Sequence, residues 1–152
     1  MSNPFDFMYE LKNAAITISV HFYAKKSLLA TDQIRYSLKV VCWNTPRLNK
    51  FHRFLIPLGH NLDEIQQDNE KYSFDIIMKE GLELQSYARV VSALWYFIHD
   101  QNRAQIPQDI KNLENPKGRN FQIALEKLLT TSKSKNDCFF GDSYETSVSY
   151  PR

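Results

Sequence analysis

Two uninterrupted alternations constrain this chain more than any other feature in it. Over residues 16–23, Ile16, Ile18, Val20 and Phe22 alternate with Thr17, Ser19, His21 and Tyr23. Over residues 34–43, Ile34, Tyr36, Leu38, Val40 and Cys42 alternate with Arg35, Ser37, Lys39, Val41 and Trp43. A helix turns about 100° per residue and scatters such side chains around its axis, whereas a strand gathers them on one face. The expectation is a pair of antiparallel strands over 14–23 and 34–43, joined through 24–33.

Apolar runs at 51–57 and 72–78 predict a third and a fourth strand. Between them Asn61-Leu62-Asp63-Glu64, with Asn first and Glu three residues later, predicts the opening of a short helix. Asn3 before Pro4, with Asp6 behind, predicts another over 4–12, because Asn caps free amides and proline in the first turn loses no hydrogen bond. From Leu82 the period changes. Leu84, Tyr87, Ala88, Val91, Leu94, Trp95 and Ile98 form one wide apolar stripe, which predicts a main helix from 82 to about 101. Phe121, Ala124, Leu125 and Leu128 predict a second, ending near 131.

Strands first and helices second give an α+β fold class: a four-stranded antiparallel sheet covered on one face by two C-terminal helices, with a short N-terminal helix. The all-α alternative forces residues 5–29 into one long helix. At 152 residues, 43% of them hydrophobic, the chain fits one globular domain over 1–132. A polar tail follows over 133–152, with an edge strand read from the alternation at 144–150.

Composition excludes several function classes. Four glycines, and neither GxGxxG nor GxxxxGK, leave little material for a phosphate cradle. The four histidines and two cysteines show no HExxH or zinc spacing, so no metal and no cofactor are expected. No apolar run approaches the ~18 residues of a membrane span, and two distant cysteines fit a reducing, cytoplasmic setting. Cys42 lies on the apolar phase of its strand, where a thiol behaves as a small hydrophobe. No serine elbow or activated cysteine is present, so an enzyme is the less favoured reading.

Charge is unevenly distributed. The net charge is only +2, yet residues 1–57 hold eight Lys or Arg against three acids, and residues 58–100 hold three against eight. On the outward phase of the two strong strands, cations share a surface with aromatic rings, and the theme continues through residues 43–54. Single-stranded nucleic acid is held in this manner, by cations along the phosphates and rings under the bases. The favoured reading is therefore a non-enzymatic binding module whose nucleic-acid contacts are Arg35, Lys39, Trp43, Arg47, Lys50 and Arg53. The alternative is a protein-binding adaptor or complex subunit. On the main helix Val90 and Phe97, seven residues apart, make a second apolar strip beside the first, either wedged inside the fold or exposed as a protein interface. A third reading, a small hydrolase, requires His52, His60, Asp63 and Glu64 to meet in one cleft.

Overall fold

Both alternations become strands, and they lie side by side. The computed structural model describes residues 7–13, 16–26 and 34–134. Strands β1 (Phe7–Asn13), β2 (Ile16–Lys26) and β3 (Ile34–Cys42) are antiparallel neighbours. Then follow α1 (Thr45–Leu55), β4 (Asn61–Leu62), β5 (Gln66–Asp68) and β6 (Lys71–Ile77). The chain continues with α2 (Glu83–Ile98), a 3-10 turn (Arg103–Gln105), α3 (Gln108–Asn112), α4 (Phe121–Thr131) and β7 (Lys133–Ser134).

The strands form one antiparallel sheet in the order β4-β6-β3-β2-β1-β7, with β5 also pairing β6. Its register aligns the apolar phases. Tyr9, Val20, Val40 and Phe74 stand opposite one another in one row, and Leu11, Ile18, Cys42 and Tyr72 in the next. Helices α1 and α2 lie on this apolar face, α2 over β1 and β2, α1 over β3 and β6, while α3 and α4 pack behind them. A buried hydrogen bond from Trp95 Nε1 to the Tyr9 hydroxyl, 2.7 Å long, ties α2 to β1. Phe22 stacks on Tyr36 and tilts against Tyr87, both with centroids 5.5 Å away.

The fold is α+β, and the all-α alternative falls with the sheet. Four details differ from the sequence expectation. The sheet holds seven strands among the described residues rather than four. Residues 7–13 are strand rather than helix, since Phe7, Tyr9 and Leu11 complete the rows begun by Phe22, Val20 and Ile18, and only residues 14–15 separate β1 from β2. Residues 51–55 belong to a helix. Asn44 caps it by accepting from the Arg47 amide at 2.9 Å, Pro46 stands in the first turn, and Leu48, Phe51 and Leu55 share its buried face.

Residues 61–64 do not open a helix. Asn61 and Leu62 pair with Ile77 and Ile76, and the Asp63 amide extends the ladder to the Asp75 carbonyl at 3.0 Å. The apolar spacing of Leu62 and Ile65 stops there, because Gln66-Gln67-Asp68-Asn69 has no face to bury. The first six residues and the alternation expected at 144–150 lie outside the described residues. Among the described residues no helix is long and apolar enough to cross a membrane.

Candidate functional site

The six cations and rings expected to share one surface divide between two. Leu38 and Val40 face the helices, so Arg35 and Lys39, on the opposite phase of β3, project from the other side of the sheet. That side is not an open basic platform. Lys39 pairs in register with Asp75, its Nζ 3.8 Å from the carboxylate. Met8, Glu10, Ser19 and Val41 on the same face are buried, with Ser19 Oγ donating to Glu10 Oε2 at 3.2 Å.

Trp43, Arg47, Lys50 and Arg53 belong to one continuous segment, the connection after β3 and α1 itself. Trp43 ends the β3 segment with 59% of its surface exposed and stands immediately before the α1 cap. With Leu48, Phe51 and Leu55 buried, helical spacing leaves Lys50 and Arg53 on the solvent side, and both are exposed. Arg47 is half-buried. Its guanidinium lies over the Phe97 ring at 5.0 Å, and its Nε is enclosed without a partner. Residues 33–62 contain no Asp or Glu at all, so α1 carries no internal neutralisation. That acid-free span was visible in the sequence, and it marks this helix more sharply than the charge tally of the first 57 residues.

The second apolar strip of α2 is not a surface. Val90 is completely buried, and Phe97 is half-buried in an aromatic cluster, 5.1 Å from Phe51 and 5.6 Å from Phe54. The helix is wedged between the sheet, α1 and α3, so two of its sides need apolar cover.

The residues of the hydrolase reading do not form one cleft. His52 Nε2 bonds the backbone carbonyl of Asp63 at 2.9 Å, and the ring meets Phe74 edge-on. The Asp63 and Glu64 side chains are exposed, while His60 is buried beside α2. Burial pushes the Cys42 thiol above its usual value, although the Asn44 amide donates to its sulfur at 3.3 Å. The amides of the 115–118 turn are occupied: Lys117 N by Asn115 Oδ1, and Gly118 N by the Asn115 carbonyl. Among the described residues no group of three or more His, Cys, Asp or Glu could hold a metal ion.

Comparison with protein-family models, with curated proteins and with solved structures gave no match. The functional reading therefore rests on the chemistry of this surface.

Proposed function

We propose that the chain is a nucleic-acid-binding module that contacts a single strand through α1 and Trp43, the residue before its cap. The observation that carries this reading is that Trp43, Lys50 and Arg53 are all exposed within a span without one acidic residue. The cations lie along the phosphates, and the indole offers a flat face to any base, which makes recognition tolerant of sequence. Arg47, held over Phe97, adds a cation at the same end of the helix. Arg35 and Lys39 contribute no direct contact, because they belong to the opposite side of the sheet.

Binding of the full chain to a fluorescein-labelled mixed-sequence oligonucleotide, DNA or RNA, followed by anisotropy across a salt series, tests this. Two to three phosphate contacts give a slope of log affinity against log salt of roughly −1.4 to −2, at ~0.7 per contact on a single strand. Joint replacement of Lys50 and Arg53 by Ala should reduce that slope to about −0.7 or less in magnitude, the share of Arg47 alone. Trp43→Ala should weaken binding by ~1 to 3 kcal/mol, the value of one stacked base. Arg35→Ala should leave both quantities unchanged. A flat salt series for the wild type, or unaltered affinity in the double variant, would remove this surface from consideration.

A further inference from the structure

At the far end of α1 from Trp43, a cavity of about 250 Å³ opens between Phe54 and Leu58, the middle of α2, and the Arg103 and Glu114 side chains. Its walls include two buried polar side chains with an unsatisfied atom, His60 at Nε2 and Ser92 at Oγ. His60 is 9% exposed and Ser92 1%. Both orphaned atoms are themselves sealed from solvent, so they sit behind the wall, and what an occupant meets is the rest of the lining.

Charge defines that occupant further. Arg103 lies over the Tyr96 ring at 5.3 Å and pairs with Glu114 at 3.6 Å, and the Tyr96 hydroxyl donates to the same carboxylate. Glu114 is thereby consumed inside the wall. Arg89 donates from Nη2 to the Leu58 carbonyl at 2.7 Å, which fixes its guanidinium at the cavity. No carboxylate among the described residues lies within ion-pair distance of it. The walls thus carry one uncompensated positive charge, beside the apolar surfaces of Phe54, Leu58 and Ala93. A single cation matches a monoanion better than a dianion, and the planar fork of arginine matches a carboxylate. The volume exceeds the roughly 150 Å³ that accepts benzene, leaving room for one ring and one acid group.

We propose that this cavity binds a small organic monocarboxylate, with its acid group on Arg89 and its apolar body against Phe54, Leu58 and Ala93. The site is independent of the α1 surface that faces nucleic acid, and either reading stands if the other fails.

His60 supplies an internal reporter. Burial first, and the positive charge of Arg89 second, hold its pKa down at about 4. The other charged or titratable groups lining the cavity are Arg103, Glu114 and Tyr96. A carboxylate on Arg89 cancels one of the two causes, so the His60 midpoint must rise while the ligand stays ionised; near pH 4, where carboxyl groups themselves take up protons, the attraction to Arg89 is lost.

The test is an NMR titration of the full, isotopically labelled chain with sodium benzoate and sodium 3-phenylpropionate, using benzamide as the neutral control of the same shape. The expected result is saturable shifts at His60, Ser92 and Arg89 with the carboxylates, an upward move of the His60 midpoint, and benzamide weaker by roughly tenfold or more. Arg89→Gln should weaken benzoate by a similar factor. If that variant does not fold, the wild-type contrast between benzoate and benzamide decides alone. Absence of saturable shifts with both carboxylates, or equal binding of benzamide, overturns the proposal.

Discussion

Phe51→Ala is expected to lower the free energy of unfolding by ~3 to 5 kcal/mol, the loss typical of deleting a core aromatic. The ring is completely buried and stands between two elements that must both move to refill its space. Phe97 of α2 lies 5.1 Å away and Phe54 of the same helix 6.4 Å away, centroid to centroid. Neither can slide into the gap. Phe54 and Phe97 already pack on each other at 5.6 Å, and Phe97 also carries the Arg47 guanidinium over its ring. Phe97→Ala should therefore cost less than Phe51→Ala, since Phe97 is only half-buried. Urea unfolding at neutral pH measures both, with the midpoint displaced and the slope retained. A Phe51→Ala loss below about 1 kcal/mol would contradict the packing of α1 on α2 and the wedge that removes Val90 from the surface.

How much of this was legible in the sequence depends on whether local pattern or long-range pairing decides each element. The β2 and β3 alternations, the stripe of α2 and the stripe of α4 each contain their own answer, because one buried face per element leaves one period in the residues. The β1 segment does not. Tyr9-Glu10-Leu11-Lys12 does alternate, but apolar Met8 breaks the run after two periods, and the Asn3-Pro4 helix-start letters lie just ahead of it, so pairing with β2 decides the strand. In α1 the relevant signal was present but short: Asn44-Thr45-Pro46 is a capped start, followed by Leu48, Phe51 and Leu55 at helical spacing. The apolar density of residues 51–57 hid that period. Asn61 and Glu64 carry the letters of a capping box, yet the free edge of β6 offers their backbone a ladder, and without an apolar stripe behind them no helix competes.

The candidate sites divide along the same line. Trp43, Lys50 and Arg53 are close in the chain, and Lys50 and Arg53, three apart on α1, share one side of that helix. Arg35 and Lys39 are equally close in sequence, but the sheet stands between them and α1. The cavity holding His60, Arg89, Ser92 and Glu114 unites residues up to 54 positions apart, and no spacing rule announces it.

His60 should make stability fall on mild acidification, in a window set by its own titration. In the unfolded chain its imidazole takes up a proton near the usual 6.5, whereas in the fold it does so only at about 4, chiefly because burial disfavours the cation and secondarily because Arg89 repels it. Above pH 6.5 both states are neutral at this site, and the fold keeps its full stability. Between pH 6.5 and 4 the unfolded chain binds one proton that the folded chain does not, so stability declines as pH falls. Integrated over the window, the loss is about 3 kcal/mol. Carboxylates also begin to titrate near its lower end, so the informative quantity is a difference between two proteins. Urea midpoints of the wild type and of His60→Gln, measured from pH 7 down to pH 4, should diverge in their pH dependence, with the variant losing far less. A variant that declines in parallel with the wild type would assign the acid sensitivity to other groups and would place His60 in contact with water rather than inside the cavity wall.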